Sequence, residues 1–329
     1  MEKSNVEIKE WAPVVIPTLC RYDHFVKCFE SLEKCYGAEN TIVYVGLDFP
    51  ANKEHEDGYA RIDSFLCEKR NNNAFKKLII IKRIHNLGLG KCGNASQLQD
   101  QVLKEFDKLI FTEDDNVFSP CFLEFINKGL ELFKDDYSVL AINGYTHGYP
   151  ISYDSNTFFR QNVDFSAWGY GIWKDRFEKL ELLSNTYFMN SLSAINIRKV
   201  YKNGYNRLLT YLQLCLGKKV PFEDNTFSIY AAVNDMDVVM PVLSLVRNIG
   251  WDGTGVHSSK LSDYYSKQSI SSKERFLYIG NGREYYELNK RNYVYNSIAY
   301  LSFGNFIKKI INIFFQRFRN EYITKKLKY

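Results

Sequence analysis

Three consecutive carboxylates, Glu113-Asp114-Asp115, follow the apolar run KLIFT at 108–112. Like charges crowded at the end of a buried run repel one another, so their placement calls for a compensating cation. Magnesium and manganese take hard oxygen ligands, commonly one or two carboxylates together with phosphate oxygens. A metal held there would neutralise charge growing on a leaving diphosphate. The same triplet also reads as a solvated acidic turn or a helix cap, where carboxylates are favoured. Three further apolar runs end in residues of related chemistry. Arg21 follows APVVIP at 12–17, Asp48 follows TIVYVGL at 41–47, and a glycine turn with Lys91 follows KLIIIKR at 77–83.

Those four runs are short and rich in β-branched residues, which predicts strands, the first of them buried. Between them lie helical patterns. Phe25, Phe29 and Leu32 recur at helical spacing through Cys35, a polar helix spans 54–69, and another runs from Gln97 to Phe106 after Asn86-Leu-Gly-Leu-Gly. Alternation of strand and helix over about 115 residues predicts an α/β fold, a doubly wound, mostly parallel sheet with helices on both faces. In such sheets ligands bind beyond the carboxyl ends of the strands. Arg21, Asp48, residues 88–91 and the triplet all fall at those ends, the pattern expected of one site. Farther on, Ser119-Pro120 marks the start of an amphipathic helix through Phe122, Phe125, Ile126, Leu130 and Phe133. Residues 139–143 read as a strand, and 238–247 (VVMPVLSLVR) as a late buried strand in which Pro241 suggests an edge or a bulge.

Composition narrows the class. The 329 residues are 45% hydrophobic and 25% charged, with 19 Gly and 7 Pro scattered without period, which excludes a disordered or collagen-like chain. Seven cysteines without a C-x-x-C pair argue against a disulfide framework or a structural zinc site. The first eleven residues are polar, unlike a signal peptide, and no run of 18 apolar residues suggests a membrane span. A reducing, cytoplasmic setting is the expectation. Residues 305–329 carry a net charge of +6 out of the chain's +5, leaving the first 304 residues at −1. Positive charge confined to a tail is not the footprint of a nucleic-acid enzyme. The Asn86-Leu-Gly-Leu-Gly turn lacks the full G-x-G-x-x-G fingerprint, so no dinucleotide site is read there.

The strand, the triplet, the Ser119-Pro120 helix start and the aromatic-glycine stretch Ser166-Ala-Trp-Gly-Tyr-Gly-Ile-Trp173 together resemble the GT-A glycosyltransferases. The similarity is to bacterial family 2-like enzymes and the N-acetylglucosaminyltransferase I group. The opening run to Arg21 and the segment Ser244-Leu-Val-Arg-Asn-Ile-Gly-Trp-Asp-Gly-Thr-Gly-Val-His257 extend the resemblance over roughly residues 12–260. It implies a catalytic domain at 1–260 and a C-terminal extension at 261–329. It also implies roles. Asp115 corresponds to the ligand of a divalent metal, Mn2+ or Mg2+, and Asp114 and Glu113 to positions holding the nucleotide ribose and donor sugar. Asp48 corresponds to an acid that reads uracil, and Arg21 to an arginine on the diphosphate. The general base that takes the acceptor's proton falls in Pro221-Phe-Glu-Asp-Asn225, as Asp224 or, second, Glu223. Tryptophan often flanks the base in the family and does not here.

Weaker candidates complete the set. Trp168, beside Gly169, would stack on the apolar face of a sugar, whereas Trp173 reads as core. His257 would meet diphosphate or metal, or be structural. Lys91 and Asn94, after the glycine turn, are placed to reach the donor. The implied activity is metal-dependent, inverting transfer of a sugar from a UDP-sugar to a glycan or lipid-linked acceptor in surface polysaccharide synthesis. A sugar-nucleotide nucleotidyltransferase would be expected to show a glycine-rich basic loop after the first strand, which Pro17-Thr-Leu-Cys-Arg-Tyr is not. A non-catalytic membrane-associated module is the other alternative. In the tail, Phe306, Ile310, Phe314, Phe318 and Tyr322, with Ile307, Ile311 and Phe315, form an apolar stripe flanked by Lys and Arg. Such a helix suits an anionic membrane surface on the inner face of the plasma membrane, or else docks on the protein's own core.

Overall fold

The four apolar runs fold as the parallel strands their composition predicts. The computed structural model describes residues 3–4, 6–147, 158–162, 164–218, 223–252, 263–279 and 304–311. The chain divides into two compact units. The first comprises Met1–Arg160, Ser166–Phe177 and Val238–Glu284, and the second Gln161–Phe165, Glu178–Asp237 and Tyr285–Tyr329.

The first unit opens with a two-residue strand β1 (Lys3–Ser4), followed by β2 (Val14–Thr18), α1 (Tyr22–Glu33), β3 (Ile42–Leu47), α2 (Glu56–Lys69), β4 (Lys77–Lys82), α3 (Asn94–Leu103) and β5 (Lys108–Phe111). Then come β6 (Asn116–Phe118), α4 (Phe122–Leu132), β7 (Val139–Asn143), β8 (Phe158–Gln161), β9 (Tyr170–Trp173), α5 (Lys174–Glu181, of which residues 178–181 fall in the second unit), β10 (Asp237–Pro241) and β11 (Val246–Asn248). Eight of these strands form one sheet in the order β4-β3-β2-β5-β9-β7-β10-β8. β4, β3, β2 and β5 are mutually parallel, while β9 runs against both β5 and β7. This is the mostly parallel α/β sheet anticipated above.

Side-chain alternation along β3 explains the two helical layers. Val43, Val45 and Leu47 join Phe25, Phe29, Ile62 and Leu66 in a core with α1 and α2. On the opposite face the Tyr44 ring meets Phe106, and the site of a Cβ on Gly46 lies against Asn94 and Leu98 of α3. Helices therefore cover both faces, as a parallel sheet requires.

Several local expectations are corrected. The helix after the glycine turn begins at Asn94 rather than Gln97, because Asn94 is anchored on both sides by its side chain. Pro120 is not the first helical residue. Residues 119–121 form a turn, with the N–H of Ser119 bonded to the Leu245 carbonyl, and α4 starts at Phe122. The single late strand at 238–247 is two strands, β10 and β11, broken where the Ser244 hydroxyl accepts from the Thr146 N–H and donates to the Val246 carbonyl. Pro241 closes β10, which lies inside the sheet between β7 and β8 rather than at its edge. β11 instead pairs antiparallel with β6 in a separate ribbon.

A short helix α10 (Asp263–Ser266) and β12 (Tyr278–Ile279), paired with β1, complete the described part of this unit. Its 275–276 segment is tied to the buried Glu124 of α4. The carboxylate accepts from Arg275 Nε at 3.0 Å, Arg275 Nη2 at 2.8 Å and the Phe276 N–H at 2.7 Å, and pairs with Lys128 at 2.9 Å.

The second unit is helical: α6 (Asn185–Ser191), α7 (Ala194–Tyr201), α8 (Tyr205–Cys215) and α9 (Glu223–Val233). Ser184 and Ser193 cap α6 and α7 through their hydroxyls, accepting from the N–H groups of Tyr187 and Asn196. Residues 304–311 are helical, and Phe306 stacks on Tyr205 of α8 at 4.6 Å. Phe306 is thus buried against the protein itself, whereas Ile307 and Ile311 are 39% and 49% exposed. The rest of the tail stripe (Phe314, Phe315, Phe318 and Tyr322) lies outside the described residues. No helix among the described residues is long and apolar enough to cross a membrane.

Candidate active site

Because β2, β3 and β5 are parallel, their carboxyl ends share one rim, and Thr18 links what they carry. The Thr18 carbonyl accepts from the Asp48 N–H at 2.9 Å. Its hydroxyl donates to Asp114 Oδ2 at 2.8 Å. Arg21 precedes α1 and reaches back over the rim, placing Nη2 2.5 Å from Asp114 Oδ1 and Nη1 2.8 Å from Asp115 Oδ2. One guanidinium therefore bridges two buried carboxylates. Burial opposes the charge on Arg21, but the two acids together raise its pKa above the ordinary arginine value. The Asp115 carboxyl is pushed up by burial; Arg21 opposes that rise and Asp114 reinforces it.

The 248–252 segment closes around Asp115. Pairing of β11 with β6 sets Asn248 opposite Asn116. From there Asn248 Nδ2 donates to Asp115 Oδ1 at 2.6 Å, and the Ile249 N–H to the Asp115 carbonyl at 2.8 Å. Gly250 comes so near that a Cβ added there would fall 2.0 Å from Asp115 Oδ2 and 2.9 Å from Arg21 Nη1. His24 Nε2 stands 3.0 Å from the Asp252 carboxylate, joining α1 to the same segment.

Asp48 lies on this rim with its carboxylate turned to the glycine turn. Oδ1 accepts from the N–H groups of Phe49 and Leu87, each at 2.9 Å, and Oδ2 from the Gly88 N–H at 3.0 Å and Asn86 Nδ2 at 3.3 Å. Gly88 and Gly90 have φ of +64° and +90°, a conformation open to glycine, so the carboxylate holds a turn that glycine makes possible. Asn94 is buried at the start of α3. Its Oδ1 accepts from Arg83 Nε at 2.9 Å and its Nδ2 donates to the Gly46 carbonyl at 2.7 Å. Lys91 is exposed in the turn, and Glu113 is half-buried at the head of the triplet.

Trp168 is half-buried and meets Tyr145, Tyr265 and Trp251 edge-on, at centroid distances of 4.7, 5.2 and 6.4 Å. Trp251 directly follows Gly250, so this aromatic group is continuous in sequence with the segment on Asp115. His257 lies outside the described residues.

Asp224 belongs to the second unit, in the first turn of α9. Its pKa is raised, chiefly by burial and further by Asp164, against the opposing charge of Arg207. A carboxylate whose pKa is raised is a stronger base than an ordinary aspartate. Glu223 is the first residue of the same helix, and its side chain lies outside the described residues.

The donor set bears on a divalent metal. Among the described residues there is no cluster of three or more His, Cys, Asp or Glu able to enclose an ion. Asp114 and Asp115 each keep further lone pairs beyond the contacts above. That fits Mg2+ or Mn2+ held by one or two carboxylates with phosphate oxygens, not an all-protein cage. Asn248, Gly250, Thr18 and Trp251 were not singled out as site residues from the sequence. The signal available was the Asn-Ile-Gly-Trp-Asp-Gly cluster directly after an apolar run, a turn signature.

No family model matches the chain, nor does any curated protein. Among solved structures it is similar to S. aureus TarS at 12% identity and a TM-score of 0.40, covering 72% of this chain and 36% of that one. TarS 1-349 in complex with UDP-GlcNAc gives 12% and 0.42, covering 79% and 62%. The mannosyltransferase PcManGT from Pyrobaculum calidifontis, in complex with GDP-Man and Mn2+, gives 9% and 0.38, covering 68% of each chain. The chain thus spans about a third of the TarS chain and somewhat under two thirds of TarS 1-349.

Proposed function

We propose that the chain is a glycosyltransferase of GT-A type, transferring a sugar from a UDP-sugar to a glycan or lipid-linked acceptor with inversion, in surface polysaccharide synthesis. The observation that carries this reading is the Arg21 bridge between Asp114 and Asp115, on the same strand-end rim as Asp48. The geometry supports a site for an anionic diphosphate with its counter-charges. Asp115 would hold Mn2+ or Mg2+ with help from Asp114, and the ion would supply Lewis-acid stabilisation of charge on the departing UDP. Arg21, already on the rim, offers donors to the diphosphate oxygens. Asp48 keeps the 86–88 turn formed beside the donor, and Trp168 with Trp251 offers indole surface to a sugar ring.

In the transfer, the acceptor hydroxyl gives its proton to Asp224 as its oxygen bonds to the anomeric carbon. The bond from that carbon to the diphosphate oxygen breaks, and its electron pair leaves with UDP. Attack opposite the leaving group inverts the carbon. The exposed Ile307 and Ile311, with Lys308 and Lys309 beside them, support contact with an anionic membrane surface at the cytoplasmic face.

A thermal-shift series with UDP, GDP and CMP, each with and without manganese, tests the donor class. UDP with manganese is expected to raise the melting temperature, and a ligand at a hundred times its Kd contributes about 2.7 kcal/mol. A flat response to all three nucleotides would overturn the assignment. Gly250→Ala probes the site itself. Its new Cβ displaces the Asp115 carboxylate, so kcat/KM for a UDP-sugar is expected to fall about a hundredfold, the cost of misplacing a reacting constellation by an ångström. Far-UV circular dichroism should stay unchanged; unaltered kinetics would show that Asp115 is not where the chemistry occurs.

A further inference from the structure

The second unit buries more charge around Asp224 than a helix start requires. Arg207 of α8 is buried and donates through Nη2 to Asp164 Oδ1 and through Nη1 to Asn225 Oδ1. Asn225 is the neighbour of Asp224, and its N–H donates to Asp224 Oδ1 at 2.9 Å. A second connection runs through Ser228. Its hydroxyl donates to the Asp224 carbonyl at 2.8 Å and accepts from the Phe165 N–H at 2.9 Å. Asp164 is itself held by Gln161, which exchanges bonds with its backbone: the Asp164 N–H to Gln161 Oε1 at 3.0 Å, and Gln161 Nε2 to the Asp164 carbonyl at 2.9 Å. Two residues of an irregular segment, Asp164 and Phe165, are thereby fastened to the first turn of α9 by separate routes.

We propose that Asp164 is a positioning residue that acts through Arg207 to fix the Asp224 carboxylate and set the pH at which it takes the acceptor's proton. The inference rests on the reading of Asp224 as general base. Replacing a buried ion pair by apolar residues is often neutral or stabilising, so the pair's presence is poorly explained by stability alone. Among the described residues, the charged groups acting on Asp224 are Arg207 on α8, which favours its ionised form, and Asp164, which disfavours it; the Asn225 N–H also favours ionisation. Burial disfavours ionisation most of all. Asp164 and Arg207 act on Asp224 in opposite directions, so the pair adjusts how readily that carboxyl ionises.

The signs give a test with opposite outcomes in two variants. The titration of Asp224 is followed by carboxyl 13C NMR in the full chain, its resonance assigned by loss in Asp224→Asn. Asp164→Asn leaves Arg207 uncompensated, so Asp224 should titrate at lower pH than in the wild type. Arg207→Gln removes the cation, so it should titrate at higher pH. Should one variant fail to fold, the other still decides. UDP release from a mixture of UDP-glucose and UDP-N-acetylglucosamine provides the functional arm. There Asp164→Asn should lower kcat about tenfold to a hundredfold with KM for the donor unchanged, and Asp164→Glu should restore part of it. An Asp224 titration that stays put in the folded variants overturns the proposal. Shifts as expected, with UDP release undiminished in Asp224→Asn, would instead remove Asp224 as the base and leave the electrostatic clamp standing, which overturns the catalytic half of the inference.

Discussion

Asp115→Asn is expected to lower UDP-sugar turnover by about a hundredfold to a thousandfold, the range for losing one element of leaving-group stabilisation, here the metal that Asp115 would hold. The side chain keeps its shape, and an amide oxygen can still accept from Asn248 Nδ2. At the other end an N–H2 replaces the oxygen that pairs with Arg21 Nη1 at 2.8 Å, setting donor against donor. Arg21 then rests on Asp114 alone, and the rim loses the carboxylate that would ligate a metal. The fold should survive, because burial already disfavours the charged form of Asp115 and a neutral isostere relieves that cost. UDP release and a thermal melt, measured on the same sample, separate the two effects. Turnover within tenfold of the wild type would remove the triplet from the mechanism.

The largest expected loss of stability lies away from the rim, at Glu124. Glu124→Ala leaves the ammonium of Lys128, itself buried, without its carboxylate, and strands the Phe276 N–H. Breaking one side of a buried ion pair costs about 3–5 kcal/mol. Arg275 adds less, since its side chain is 56% exposed and can be rehydrated. Urea unfolding should show the loss as a lower midpoint. The pH dependence has a defined sign. Burial alone would raise the Glu124 pKa, but hydrogen bonds from Arg275, Lys128 and the Phe276 N–H hold it below the ordinary glutamate value. Its stabilisation is therefore complete above the unfolded-state pKa of about 4.3 and disappears as pH falls through the lower folded-state value. Glu124→Gln should flatten that acid limb. A wild-type stability that does not fall between pH 5 and 3 would contradict the account.

Both variants turn on contacts across long stretches of chain, and there the sequence and the folded molecule part company. Runs such as TIVYVGL and KLIFT report burial directly, because a strand covered on both faces must be apolar along its length. Their alternation with helical periodicity was sufficient to read a parallel sheet, and parallel strands put Arg21, Asp48 and the triplet on one rim without any further information. Local patterns have no such reach across the chain. Asn248 bonds Asp115 over 133 residues, and Arg275 bonds Glu124 over 151. A three-residue strand like β11 is too short to show a period, so 238–247 read as one continuous strand. Asp164, in an irregular segment, has no pattern at all. These pairings arise only when the sheet order and the Ser244 break bring distant segments together, since hydrogen-bond geometry between them depends on the packed backbone and not on the composition of either segment.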